Sequence, residues 1–189
     1  MKVISLLGSA KKKGNTATAL KWVEEEIQSA GHEIESVYLN ALTINGCLGC
    51  AKCKETSDEI GCAQKDDAEK VLHQMIRSDL IIFASPLYFW GVTSQLKSII
   101  DRSWSLVTNY HQPGHQSLIE GKRLALLVTG GGPYENNAEP TFFAFNKLIN
   151  FYKTINIGEL FLGQCKGIET MDETKKQQAQ DFARKITAP

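Results

Sequence analysis

The sequence predicts a three-layer α/β sandwich built on a five-stranded parallel sheet in the order 2-1-3-4-5. Three observations carry this expectation. Short apolar runs alternate with helical patterns to the end of the chain, which argues for parallel strands joined by crossover helices. Three of the runs, KVISLL, LIIFA and RLALLVT, are apolar at nearly every position, as strands covered on both faces must be. Finally, five such strands fit within 189 residues, which favours this doubly wound order over the six-stranded dinucleotide-binding one.

Each element has its own signal. Lys2–Leu7 is the first strand. Residues 16–30 form a helix with an apolar face at Leu20, Val23 and Ile27, and Gly31 stops it. Residues 33–39 alternate as the second strand. Residues 66–77 form an amphipathic helix with acidic residues in its first turn, where they suit the helix dipole. The third strand covers 80–84 and is halted by Ser85-Pro86. A helix over 93–104, the strand Arg123–Thr129, a helix over 142–152, a weaker strand Ile155–Leu162 and a helix over 170–186 complete the order. No repeat or linker divides the chain, so residues 1–189 are expected to form one domain. The acidic run Glu24, Glu25, Glu26 reads as a solvated helix face.

Composition narrows the function. Hydrophobic residues make up 42% of the chain, enough for a full core. The formal net charge is zero, which argues against nucleic acid as a partner. The apolar start is too short for a signal peptide and no run approaches a membrane span, so the expectation is a cytoplasmic protein with no membrane partner. Five cysteines, four of them clumped, point to reduced thiols and not to a disulfide framework.

In open α/β sheets, ligands bind at the carboxyl ends of the strands beside the switch in strand order. The loops after strands one, three and four are therefore the places for chemistry. The first reads GSAKKKGNTATAL. Its glycines permit tight turns, Ser9, Asn15 and Thr16 supply short polar groups, and the amides of Asn15, Thr16 and Ala17 open a helix N-terminus beside Lys11, Lys12 and Lys13. The competing reading is an ordinary capped helix with solvated lysines. Neither G-x-x-x-x-G-K-[ST] nor G-x-G-x-x-G is present, and the second strand lacks a terminal acid for a ribose. Strands one and three also lack the terminal aspartates of a receiver domain. A phosphate monoester such as that of FMN remains. The third strand runs into SPLYFWG, and three consecutive aromatics at such an edge suit the face of a flat ring. The fourth runs into TGGGPYENN, whose uncovered amides suit the polar edge of a ring that gains negative charge on reduction.

Together GSAKKKGNT, CLGCAKC followed by KDDAEKV, and SPLYFWGVTSQLKSIIDR resemble the NADPH-dependent FMN reductase-like branch of the flavodoxin-like flavoproteins, a group that includes iron–sulfur flavoproteins. The resemblance runs from Lys2 to about Asn137. It implies a flavodoxin-like fold, with FMN phosphate at Ser9, Lys11, Asn15, Thr16 and Ala17. The isoalloxazine would be flanked by Pro86, Leu87, Tyr88, Phe89, Trp90 and Gly91, its polar edge meeting Thr129, Gly130 and Gly131. Lys11 stands where the family usually has arginine, so it offers a point charge without the bidentate fork. The implied activity is reduction of bound FMN by NAD(P)H, followed by electron transfer to a flavin, quinone or similar acceptor. The cofactor carries that chemistry, and no protein acid or base is named. Homodimers or homotetramers are implied as well.

Cys47, Cys50, Cys53 and Cys62 are spaced by two, two and eight residues. The triplet suits a cubane cluster, whereas structural zinc prefers two separated pairs. Iron–sulfur flavoproteins show a shorter last gap. A [4Fe–4S] cluster, zinc and free thiols all stay open. With a cluster, the protein would instead be an electron-transfer partner of another redox protein. A third reading is a flavodoxin-like binding domain without cofactor. Cys165 reads as a small hydrophobe. His111 and His115 have helical ligand spacing, but Pro113-Gly114 between them forbids the helix.

Overall fold

The computed structural model describes residues 1–56 and 58–188. In chain order they form β1 (Lys2–Leu7), α1 (Asn15–Ser29), β2 (Glu33–Tyr38), α2 (Asp67–Arg77), β3 (Leu80–Pro86), α3 (Ser94–Arg102), β4 (Val107–Thr108), β5 (Gln116–Ser117), β6 (Arg123–Thr129), α4 (Glu139–Tyr152), β7 (Ile155–Leu162) and α5 (Glu173–Thr187). The main sheet is parallel, in the order β2-β1-β3-β6-β7, and so has the expected 2-1-3-4-5 topology. It is a flavodoxin-like fold. The pleat of the sheet divides the core. Ile4, Leu6, Ile81, Phe83, Leu124 and Leu126 face α2, α3 and α4. Val3, Leu80, Ile82, Ala125 and Leu127 face α1 and α5 on the other side.

The departures from expectation lie at element ends. β3 extends two residues further, because Pro86 still lies opposite Thr129 and the Leu87 N–H donates to Thr129 O at 2.8 Å. Thr93 and Asp66 are not helical but cap α3 and α2 by accepting the N–H of Leu96 and Ala68. The last helix starts three residues later than expected, at Glu173, where Asp172 accepts the Lys175 N–H; Ile168–Thr170 is a separate 3-10 turn. α4 starts three residues earlier, since Pro140 near its start removes an amide that has no intrahelical partner anyway. The two-residue strands β4 and β5 were not expected and pair antiparallel within the long 105–122 connection. Glu24 is not a merely solvated acid: it accepts the hydroxyls of Ser5 at 2.5 Å and Ser36 at 2.7 Å. Among the described residues, no helix is long and apolar enough to cross a membrane.

Candidate functional site

The carboxyl ends of β1, β3 and β6 meet at one edge, and three hydroxyls tie their loops together. Gly8 donates its N–H to Ala84 O at 2.8 Å, and its carbonyl accepts the Thr93 hydroxyl. A Cβ at Gly8 would stand 2.7 Å from Leu96 Cβ, so a glycine is required for this approach of β1 to α3. Ser9, 5% exposed, forms a small turn in which its Oγ accepts the Lys11 N–H and donates to Lys11 O, both at 3.1 Å. Thr16 and Thr129 join the start of α1 to the end of β6 through a buried hydroxyl contact of 2.7 Å.

The N-terminus of α1 is open. Gly14 provides no capping side chain, the first turn holds no acid, and the first ladder bond runs from the Thr18 N–H to Gly14 O. The amides of Asn15, Thr16 and Ala17 are thus left facing outward, with exposed Lys11, Lys12 and Lys13 beside them. Asn15 lies in the expected place, but its side chain does structural work: Nδ2 donates to Cys165 O at 2.8 Å. These features fit a phosphate monoester. The uncapped helix start offers three donors beside adjacent cations, and among the described residues no carboxylate caps it.

The aromatic loop is a two-residue hairpin. Tyr88 and Gly91 exchange both backbone bonds, N–H to O, at 2.9 and 3.0 Å, and Phe89 and Trp90 fill the turn with φ of 46° and 59°. Positive φ at both central positions marks a type I′ turn, which favours Asn-Gly, not two aromatics. The closed turn presents Tyr88, Phe89 and Trp90 in the open, 52%, 94% and 58% exposed. The Thr141 hydroxyl donates to Trp90 O at 2.8 Å and fixes the turn to α4. Behind it lies an apolar hollow of about 430 Å³ floored by Phe83, Leu126 and Phe145. Pro86 and Leu87 form the inner base of this loop, and Leu87 packs on the core.

In the glycine loop, the Gly130 N–H is already spent on Leu162 O at 3.0 Å, and a Cβ there would stand 2.9 Å from the Phe161 ring. Open space surrounds Gly131, which leaves it the better placed of the two for a ligand edge. The loop is braced by Tyr134, whose ring lies 5.3 Å from that of Phe142 and 5.8 Å from that of Phe161. Burial, then the charges of Glu159, Glu139 and Glu135, push the Tyr134 phenol up, so it stays protonated. Tyr134, Thr93 and Thr141 escaped sequence reasoning; of these only Thr93 carried a signal, as a threonine just before a helical run.

The cysteine segment leaves the sheet after β2 and sits beside α3. Cys47, Cys50, Cys53 and Cys62 line one hollow with Arg102 and Trp104, but that hollow measures about 20 Å³, room for about one water. Among the described residues, no three His, Cys, Asp or Glu side chains stand together as metal ligands. Thiols are suitable donors for iron or zinc, and the four cysteines named for such a centre border one common hollow. Burial pushes the Cys53 thiol up, against the pull of Lys54. His111 and His115 form no ligand pair on a helix: His115 packs at 5.5 Å on Phe151 and its Nε2 lies 3.1 Å from Phe151 O. Cys165 is half-buried, and burial raises its pKa.

Beneath this segment lies a buried ion pair, Arg102 to Asp66, at 2.7 Å, with side chains 0% and 6% exposed. Burial alone would raise the Asp66 pKa, but hydrogen bonds from Arg102 and from the N–H groups of Asn45 and Ala68 outweigh it and hold the carboxyl at about 2. The folded pKa lies below the usual 3.8, so the pair stabilises the fold above that value and its contribution vanishes as pH falls through about 2. Acid titration of stability should show a loss of about 2 kcal/mol between those limits that Asp66→Asn abolishes. An unchanged acid limb in that variant would contradict the assignment.

Comparison with known proteins places this geometry. The NADPH-dependent FMN reductase family matches residues 1–139. An iron–sulfur flavoprotein of Archaeoglobus fulgidus is 33% identical over 132 residues, which cover 70% of this chain and 56% of that one, so the chain spans little more than half of that relative's length. Another iron–sulfur flavoprotein, from Methanocaldococcus jannaschii, is 30% identical over 191 residues, 98% of this chain and 95% of the other. An FMN-dependent NADH-azoreductase from Bacillus anthracis, solved with FMN, shares the fold with a TM-score of 0.73 at 14% identity, covering 99% of both chains. The open helix start, the aromatic turn and the glycine loop on one sheet edge agree with the family match over the segment that carries them: the chain belongs to the NADPH-dependent FMN reductase family.

Proposed function

We propose that this protein is an FMN-dependent oxidoreductase that takes electrons from NAD(P)H and delivers them to a small-molecule acceptor such as a flavin or quinone. The observation that carries the reading is the uncapped start of α1 beside Lys11, on the same sheet edge as the aromatic turn. The amides of Asn15, Thr16 and Ala17, with Lys11 as a point charge, hold the phosphate; Ser9 shapes the turn that presents them. Pro86, Leu87, Tyr88, Phe89, Trp90 and Gly91 flank the ring, and Thr129, Gly130 and Gly131 border its polar edge. FMN, when bound, supplies hydride acceptance and one- or two-electron release. The protein orients the ring, shields one face and offers backbone donors where charge grows. A second copy of the chain, as homodimer or homotetramer, covers the exposed aromatic turn.

Anaerobic addition of NADH or NADPH to the FMN-loaded protein should bleach the flavin's visible absorbance. Lys11→Ala should weaken FMN binding about tenfold, the loss of one charge-assisted contact worth about 1.4 kcal/mol. Failure of the chain to bind FMN at all would leave only a cofactor-free binding domain.

The full-length match to an iron–sulfur flavoprotein favours one second reading, an electron-transfer partner of another redox protein. Iron and sulfide quantitation after anaerobic purification separates the two: about four of each per chain would establish a [4Fe–4S] centre.

A further inference from the structure

A single side chain closes the base of the cysteine segment. Arg102, the last residue of α3, is 1% exposed. Its Nη1 donates to Asp66 Oδ2 at 2.7 Å and to Asn45 O at 3.1 Å, and its Nη2 to Gln64 O at 3.3 Å. Asn45 lies two residues before Cys47, and Gln64 lies two residues after Cys62. The guanidinium therefore holds both ends of the stretch that carries all four cysteines. Further ties reinforce the base: Gln64 Nε2 donates to Gly46 O at 3.0 Å, and the Thr43 N–H to Asp67 Oδ2 at 2.7 Å.

A second cation bolts down the middle. Lys54 Nζ donates to Trp104 O and Val107 O, both at 2.5 Å, and lies 4.5 Å from the Trp104 ring centre. One polar atom is left over: Arg102 Nε is buried with no hydrogen-bond partner among the described residues, while Cys62 lies against the same guanidinium. The two cations thus tie these stretches of chain together through backbone carbonyls.

We propose that Arg102 is the positioning residue of the cysteine loop: it clasps the two ends of residues 46–63, so the thiols keep one arrangement in metal-free protein. In that arrangement Cys47 and Cys50 are exposed and Cys53 and Cys62 are half-buried. The clasp also sets where the loop stands. At the other end of α3, Thr93 is bonded to the Gly8 carbonyl at the proposed phosphate edge, and nine helical residues span about 13 Å. The thiols are therefore referenced to that edge by one rigid helix. The clasp does not depend on the flavin reading.

The test uses the full chain, loaded with FMN and stripped of metal by a chelator, under anaerobic conditions. Iodoacetamide labelling is followed at each cysteine by mass spectrometry. Cys47 and Cys50 should label at least about tenfold faster than Cys53 and Cys62, because reaching the latter requires local opening. In Arg102→Met the difference should collapse, with the Cys165 rate and FMN content unchanged. Arg102→Lys keeps the charge but loses the double clasp, and should fall between; it carries the test if the methionine variant does not fold. Equal labelling of all four thiols in metal-free wild type would overturn the proposal. So would an unchanged pattern in both variants, or a parallel rise at Cys165, which would mean general loosening. FMN content in the same samples tests the flavin reading separately.

Discussion

Arg102→Met is expected to lower the unfolding free energy by about 3–5 kcal/mol, seen as a lower denaturant midpoint at unchanged slope. Deleting the guanidinium strands three groups at once. Asp66, with its side chain 6% exposed, loses the charge that neutralises it, and the carbonyls of Asn45 and Gln64 lose their donor. The cost comes from leaving a buried charge unpaired more than from losing an attractive contact, since taking both ions out of water consumes most of their mutual attraction. It follows that Arg102→Met combined with Asp66→Asn should recover a large part of the loss, because Asn still caps α2 and carries no charge. A double variant as unstable as the single one would show that packing, not the charge, sets the penalty. A domain of ordinary stability, about 5–15 kcal/mol, survives the single change at the weak end of that effect.

The aromatic turn should respond in the opposite sense. Phe89→Asn with Trp90→Gly is expected to stabilise the protein by about 1 kcal/mol, because glycine fully, and asparagine in part, tolerates a left-handed conformation that costs other L-residues about 1–2 kcal/mol each. Phe89, 94% exposed, gives up little beyond its edge contact with Trp90 at 6.3 Å, whereas Trp90, 58% exposed, also leaves the wall of the apolar hollow, which offsets part of the gain. Tm should rise by a few degrees, while NAD(P)H-dependent flavin reduction should fall, as expected where strain is retained for function. A gain in stability with undiminished activity would remove the ring-binding role from this turn. No gain would show that the neighbours, Thr141 through the Trp90 carbonyl above all, impose the turn whatever residues fill it.

The strand order and both faces of the core were legible because doubly buried strands are apolar throughout, as at Leu80 to Ala84 and Arg123 to Thr129, and cannot be mistaken for loops. The three loops that make the site could be placed for the same reason. Their internal geometry could not. Nothing local announces that Asn15 reaches Cys165, 150 residues away, or that the Gly130 amide is consumed by Leu162. Nor does the spacing of Cys47, Cys50, Cys53 and Cys62 reveal whether the sulfurs converge; ligand spacing states what a metal would accept, whereas the clasp at Arg102 arises from a helix forty residues further on. β4 and β5 were missed because two-residue strands have no period to read.

The bond from Asn15 to the Cys165 carbonyl has a consequence for biosynthesis. α1 is made well before its N-terminus can be secured, since the tie comes from Cys165, 150 residues later, and β7 supplies the acceptor for the Gly130 amide. An emerging chain can assemble β1, β2 and β3 early, but the nucleotide has no finished seat until residue 165 has cleared the exit tunnel. The proposed cofactor seat is thus finished only after β7 has joined the sheet and the segment beyond it has reached α1.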